Sequence, residues 1–88
     1  MQVMVKMDSA QSVREFVNIV NRYDGEMLMH SGRFKVNAKS ILGIFSLDLA
    51  RPVVLEIEEE KMLPLQVERL LAEIKCNRVE EAMVNDMK

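Results

Sequence analysis

A serine stands where an extended run gives way to a short apolar helix, and this junction constrains the fold more than any other part of the chain. The segment KVNAKSILGIFSL is centred on Ser40. Val36 closes the extended run, and Ser40 is a favoured N-cap, because its side-chain oxygen accepts a hydrogen bond from a free amide of the first helical turn. Ile41, Ile44 and Phe45 then recur at helical spacing. The segment therefore predicts a strand, a cap and a helix in immediate succession.

Alternation of apolar and polar residues with a period of two predicts four strands. The first alternates through Val3, Val5 and Met7, and the last follows Pro52, which costs no ladder hydrogen bond at the start of a strand. A turn at Ser31-Gly32 joins the second and third into a hairpin. The predicted strand segments are 1–7, 26–30, 34–37 and 53–59.

Apolar residues recurring with the period of a helix predict three helices. The first runs from about Ser9 to Asn21, and Asp8, Ser9 and Ser12 each offer it a cap. The second runs from Ser40 to Ser46. Pro64 begins the third, because proline is tolerated in a first turn. The apolar faces are Val13, Phe16, Val17 and Val20 in the first helix, and Leu63, Val67, Leu70, Leu71 and Ile74 in the third.

The element order is strand, helix, strand, strand, helix, strand, helix, in a chain of 88 residues. This length fits a single domain with one modest core. The order predicts an α+β sandwich, in which one antiparallel sheet is covered on one face by helices. The tail 76–88 is either an extra helix or disordered. The expected core comprises Val3, Val5, Phe16, Val17, Val20, Val36, Ile44, Leu47, Leu55, Ile57, Val67, Leu70 and Leu71.

The block around Ser40 resembles the phosphocarrier HPr family of the sugar phosphotransferase system. Members carry a near-identical asparagine-x-lysine-serine-isoleucine-x-glycine-x-x-serine-leucine block, and the resemblance extends in register over roughly residues 9–74. It implies an HPr-like open-faced sandwich over residues 1–88, with four antiparallel strands and three helices. The residues that carry the resemblance are Asn37, Lys39, Ser40, Ile41, Gly43, Ser46 and Leu47.

The phosphorylatable histidine of the HPr family has no counterpart in this alignment. The family carries it in a glycine-x-histidine-alanine-arginine-proline loop before the first helix. Aligned without gaps from Ser40 back through Tyr23-Asp24, that position falls on Ser9, and the next residues are AQS. A phosphoserine ester is a much poorer phosphoryl donor than a phosphohistidine, so Ser9 does not replace it. The sequence therefore predicts no catalytic residue and no enzyme activity.

Ser40, Leu42 and Phe45 carry the functional hypothesis that the resemblance implies. In Gram-positive HPr proteins a dedicated kinase phosphorylates the serine matching Ser40, and the modified protein docks on a transcriptional repressor. The residues matching Leu42 and Phe45 form an exposed apolar patch that partner proteins grip. Two simpler alternatives remain: Ser40 only caps its helix, and Phe45 only packs under the third helix.

Composition removes several classes of function. Twelve basic and fourteen acidic residues give a net charge of −2, which lacks the positive field that nucleic-acid binding requires. Residues 1–7 alternate, so they do not read as a signal peptide, and no apolar run reaches membrane-spanning length. A cytoplasmic protein is expected. Cys76 is the only cysteine, which excludes an internal disulfide and fits a reducing compartment.

The remaining candidate residues are given structural roles. His30 is expected to be a surface histidine of the hairpin, since neither a helix start nor an arginine adjoins it in sequence. The acidic run at Glu56 and Glu58–Glu60 is expected to be a solvated face, without a metal site. The eight methionines are read as core filling and chain-end residues, although an adaptable binding surface would also use them.

Three functions follow in order of preference. The first is an HPr-like regulatory or protein-binding module without phosphocarrier chemistry, whose protein partners include an HPr-type serine kinase or a transcriptional regulator. The second is a working phosphocarrier component of the phosphotransferase system. The third is a structural domain that self-associates through the apolar tail from Val79 to Met87. No cofactor, metal, nucleic acid or membrane is expected.

Overall fold

The computed structural model of the chain describes residues 1–58, 60 and 62–74. The predicted tail 76–88, with Cys76 and the expected self-associating segment, lies outside these residues. No helix within them is long and apolar enough to cross a membrane. The elements occur in the predicted order: β1 (Gln2–Val5), α1 (Ala10–Val20), β2 (Met27–Ser31), β3 (Phe34–Asn37), α2 (Ile41–Phe45), β4 (Val53–Ile57) and α3 (Pro64–Glu73).

The strands form one antiparallel sheet in the order β1-β4-β2-β3. A row of directly opposed residues crosses it, from Val3 through Leu55 and Met29 to Val36. Leu55 and Met29 are fully buried, so this is the face that the helices cover. Because successive strand residues point to opposite faces, the residues between them lie on the uncovered face. The α+β sandwich with a four-stranded antiparallel sheet and three helices is thus confirmed.

The core lies between the sheet and the helices, and no polar or charged side chain of the described residues is buried in it. Most of the expected core is confirmed, whereas Val3, Val36 and Leu71 are only partly buried against its margin. Val3 and Val36 lie on the edge strands, which leaves one flank of each uncovered. The buried residues are Val5, Met7, Val13, Phe16, Val17, Val20, Tyr23, Met27, Met29, Ala38, Ile44, Leu47, Val53, Leu55, Ile57, Met62, Val67, Leu70 and Ile74.

Helix α1 begins and ends where its caps lie. Ser9 has an extended backbone (φ −158°, ψ 166°), and its Oγ accepts a hydrogen bond from the Ser12 amide at 3.1 Å. Asn21 ends the helix, and its amide donates to the Val17 carbonyl at 3.0 Å. The predicted apolar face is confirmed, since its members are all buried: Val13, Phe16, Val17 and Val20.

Helix α3 begins at Pro64 as predicted, but the assignment of Leu63 to its buried face is wrong. The Leu63 side chain is 67% exposed. Leu63 is the N-cap and has an extended backbone (φ −67°, ψ 144°), so its side chain does not follow the helical period. Met62 is buried instead and packs beside Gly25.

Several boundaries differ from the predictions; the first strand, for example, ends at Val5 rather than at Met7. The last strand ends at Ile57 rather than near Glu59, which lies outside the described residues. The hairpin turn is Gly32-Arg33 rather than Ser31-Gly32, because Ser31 still pairs with Phe34. Gly32 has φ +59°, a conformation that glycine adopts without steric cost and that suits the first position of a two-residue type II′ turn.

Candidate functional site

The turn between β3 and α2 is closed by two hydrogen bonds that Asn37 accepts. The Asn37 carbonyl accepts from the Ser40 amide at 3.0 Å. The Asn37 side-chain oxygen accepts from the Lys39 amide at 2.8 Å. Asparagine favours such turns because its short side chain satisfies the backbone two residues ahead. These bonds hold Ser40 in place just after the end of β3. Its backbone there is extended (φ −100°, ψ 111°).

Ser40 is the N-cap of α2, as the sequence predicted. Its Oγ accepts a hydrogen bond from the Gly43 amide at 3.1 Å, and its carbonyl accepts from the Ile44 amide at 3.0 Å. The residue is half-buried. The bond to Oγ satisfies a first-turn amide that the helix itself leaves without a partner, and the bond to the carbonyl is the first of the helix.

Lys39 and Asn21 tie this turn to the end of α1, and the sequence reasoning gave neither residue a structural role. The Lys39 Nζ donates to the Tyr23 carbonyl at 2.5 Å. The Asn21 side-chain amide donates to the carbonyls of Val17 at 2.8 Å and Lys39 at 3.3 Å. A cation beside the carbonyl end of a helix is also favoured by the helix dipole. The position of Ser40 thus depends on α1 as well as on β3.

Tyr23 continues this connection to the end of α3. Its hydroxyl donates to Oε1 of Glu73, whose Oε2 accepts from Arg22 at 2.8 Å. Burial raises the pKa of the Tyr23 phenol, and the hydrogen bond and negative charge of Glu73 raise it further, while Arg69 and Arg22 act in the opposite direction. Sequence periodicity does not identify such a pair, because it joins residues fifty positions apart.

The two faces of α2 separate as expected. Ile44 is fully buried, Leu47 is buried just after the helix, and Ile41 packs partly against the core. On the other side, Leu42 is 81% exposed and Phe45 is 44% exposed. We call Leu42 and Phe45 the outer pair. Phe45 is therefore not buried under α3, and the helix that Ser40 caps exposes two apolar side chains to solvent, as an interaction surface would require.

Ser9 lies far from Ser40. It caps the start of α1, whereas Asn21 at the end of that helix contacts the turn that holds Ser40. The eleven residues of α1 separate the two ends by about 16 Å at a rise of 1.5 Å per residue. The first turn of α1 contains neither an imidazole nor a guanidinium group, and its residues are Ala10, Gln11 and Ser12.

His30 differs from the surface histidine that was expected. It lies on β2, and its side chain is only 18% exposed. Its Nε2 is 3.4 Å from Oε1 of Glu56 on the neighbouring strand, and no hydrogen-bond partner within the described residues reaches this nitrogen. The two side chains occupy the uncovered face of the sheet, away from the helices. The structure therefore does not bring His30 near a helix start.

The acidic run does not form a cluster suited to a metal within the described residues. Glu56 and Glu58 are half-buried, and Glu60 is exposed. Glu59 lies outside the described residues. Glu56 is engaged with Gln2 and His30 on the uncovered face.

The proteins of known structure to which this chain is similar include two HPr proteins. No protein-family model and no curated protein matches the chain. The crystal structure of HPr-C-His from Thermoanaerobacter tengcongensis is 26% identical, covers 85% of this chain and 89% of its own, and has a TM-score of 0.64. The phosphocarrier protein HPr from Bacillus anthracis str. Ames is 26% identical, with coverages of 84% and 93% and a TM-score of 0.54. The chain is therefore similar to HPr proteins in both fold and sequence.

Proposed function

We propose that this chain is an HPr-like protein, related to the phosphotransferase system, that binds other proteins without carrying phosphoryl groups itself. Its similarity to HPr structures along most of both chains supports the family relation. The start of α1 supports the second part, because Ser9 and the residues after it provide no nitrogen nucleophile. The protein then has no catalytic activity of its own.

One observation carries the proposal: a serine caps the same five-residue helix that exposes two apolar side chains. Ser40 Oγ bonds to the Gly43 amide, and Leu42 and Phe45 project from the same short helix into solvent. Phosphorylation would exchange the Oγ–H bond for an Oγ–P bond and place about two negative charges at this position. A partner with an apolar pocket and an adjacent arginine or lysine would then distinguish the two forms.

The test is labelling of the full chain with an HPr-type serine kinase and ATP, followed by mass mapping. Label on Ser40 that disappears in Ser40→Ala is the expected result. Ser46→Ala is the matched control, because Ser46 is an exposed serine at the other end of the same helix. No label, or label that persists in Ser40→Ala, would leave Ser40 with a capping role only.

A working phosphocarrier is the second candidate, and the description of the Bacillus anthracis protein as a phosphocarrier favours it. In this chain the reaction would have to use His30. The Nε2 of that residue is occluded and lies beside the carboxylate of Glu56, which would repel an incoming phosphoryl group. We therefore place this function second.

A further inference from the structure

The edge strand β3 exposes an aromatic side chain that the proposed function does not use. Phe34 begins β3 and is 72% exposed. The strand pairs with β2 on one side only, and α2 packs on its core-facing side through Val36. The other flank of β3 faces no strand of the described chain.

The hydrogen-bond pattern of the hairpin determines which backbone groups lie on this open flank. In an antiparallel pair, opposed residues alternate between those that exchange hydrogen bonds and those that do not. A two-residue turn makes Ser31 and Phe34 a bonded pair, and the Ala38 amide confirms this alternation by donating to the Met27 carbonyl at 2.9 Å. Lys35 is therefore a residue whose amide and carbonyl both point away from β2.

Asn37 is the other residue of β3 that points outward, but its carbonyl already accepts from the Ser40 amide. Lys35 alone on β3 thus offers an adjacent donor and acceptor to an additional strand. An edge that leaves such groups unpaired can accept an extended segment of another chain.

Two cations limit which segment can bind. Arg33 and Lys35 are exposed, and neither makes an ion pair with a carboxylate among the described residues. A second copy of this chain that paired β3 with β3 about Lys35 would oppose like charges, and lysine on an edge strand disfavours such self-pairing. An acidic segment would instead find complementary charge.

We propose that the β3 edge accepts an extended acidic segment of a partner protein as a fifth strand. The backbone of that segment bonds to the amide and carbonyl of Lys35. Its carboxylates pair with Arg33 and Lys35, and an apolar residue packs on Phe34. This surface is separate from Ser40 and the outer pair, so the proposal does not rest on phosphorylation.

The probe is a synthetic seven-residue peptide of alternating glutamate and valine, titrated into the isotopically labelled full chain and followed by NMR. We expect saturable shifts of the amides of residues 33–37, centred on Lys35. Two control peptides of equal length separate the contributions. Alternating lysine and valine tests charge, whereas the same glutamate–valine peptide with every backbone amide N-methylated keeps the side chains but lacks the backbone donors of a strand.

Variants of the chain sharpen the test. Lys35→Pro removes the charge and the outward amide but no hydrogen bond to β2, because an edge strand tolerates proline where its amide faces outward. Lys35→Gln removes the charge alone. Binding should weaken by about tenfold in Phe34→Ala, and further in Lys35→Pro than in Lys35→Gln. Arg14→Gln is the matched control, since Arg14 is an exposed cation on α1 and its loss changes the net charge by the same amount as Lys35→Gln.

Several outcomes would overturn the proposal. If the lysine peptide binds as tightly as the glutamate–valine probe, the charge argument fails; if the N-methylated peptide does so, the strand argument fails. Shifts confined to Leu42 and Phe45 would place the peptide on the outer pair. A nuclear Overhauser contact between Phe34 and residues 75–88 in the free chain, or a mass that doubles with concentration and reverts in Phe34→Ala, would assign the edge to the chain itself or to a second copy.

Discussion

Gly43 and Val36 are so close that a β-carbon added to Gly43 would lie 3.1 Å from Cβ of Val36. The same added carbon would lie 3.3 Å from Oγ of Ser40. Helix α2 therefore approaches β3 so closely that a side chain at position 43 would require Val36 or Ser40 to shift by a few tenths of an ångström. This contact fixes the orientation of the helix, and with it the exposure of the outer pair.

Gly43→Ala should destabilise the protein even though alanine is the better helix former. Alanine gains about 1 kcal/mol in a helix interior, but crowding in a packed site costs about 1 to 3 kcal/mol, and the contacting atom of Val36 cannot rotate away. We expect a net loss of about 1 kcal/mol in the free energy of unfolding, measured by urea denaturation. A variant more stable than the parent would show that α2 can move away from β3.

Ser40→Ala and Ser40→Asp should differ in stability. Alanine removes the bond from the Gly43 amide and should cost about 0.5 to 2 kcal/mol. Aspartate caps about as well as serine and gains from the helix dipole, so it should retain the parent stability. Thermal and urea unfolding of the two variants measure these free energies of unfolding. Equal losses in both variants would show that aspartate does not replace the serine cap.

Incubation with phosphoenolpyruvate and the general phosphotransferase enzyme should leave the chain unphosphorylated. No nitrogen nucleophile stands at the start of α1, and the Nε2 of His30 is occluded. Intact mass at neutral pH measures the outcome. An acid-labile phosphate that disappears in His30→Gln would restore the phosphocarrier function.

Phe16→Ala should cost about 3 to 5 kcal/mol, the usual range for emptying a core phenylalanine site. Phe16 is fully buried between α1 and the sheet. Asn18→Ala is the control for helix propensity, because Asn18 is an exposed residue of the same helix. A loss below about 1 kcal/mol in Phe16→Ala would contradict the packing of α1.

Stability should fall at alkaline pH through Tyr23. Its pKa is raised in the folded protein, chiefly by burial, so the unfolded chain releases the phenolic proton first as the pH rises past about 10. The unfolded state then binds fewer protons, and the free energy of unfolding decreases with pH. Tyr23→Phe should reduce this decrease, as measured by urea unfolding between pH 8 and pH 11, about one unit or more on either side of that pKa. If the free energy of unfolding falls as steeply with pH in Tyr23→Phe as in the parent, the pKa of Tyr23 is not raised in the folded protein.

Most of the fold could be predicted because local signals agreed with one another. The face of α1, from Val13 to Val20, follows the helical period, and the cap at Ser40 coincides with the end of a strand. Where several signals competed, sequence alone did not decide. Asp8, Ser9 and Ser12 could each cap α1, and the structure uses Ser9, because the choice depends on how the chain leaves β1.

The remaining differences have long-range causes. Leu63 fits the apolar period of α3, but the extended cap conformation turns it outward, and Met62 fills the space beside Gly25. The bond between Tyr23 and Glu73 and the contact of Lys39 with Tyr23 join separate helices and loops. A sequence pattern read in short windows contains no information about such partners.

The central position of β4 has a consequence for the order in which the chain can fold. Among the strands of the described residues, β1 pairs with β4 alone, and β4 separates it from β2. Because β4 is synthesised after the other three described strands, β1 has no strand to pair with until residues 53–57 have been made, after the segments of α1, the hairpin and α2. Contacts so distant in sequence slow folding, because a long loop must close before they form. A nascent chain stalled before Val53 would thus hold an unpaired β1 and an unfilled gap beside β2.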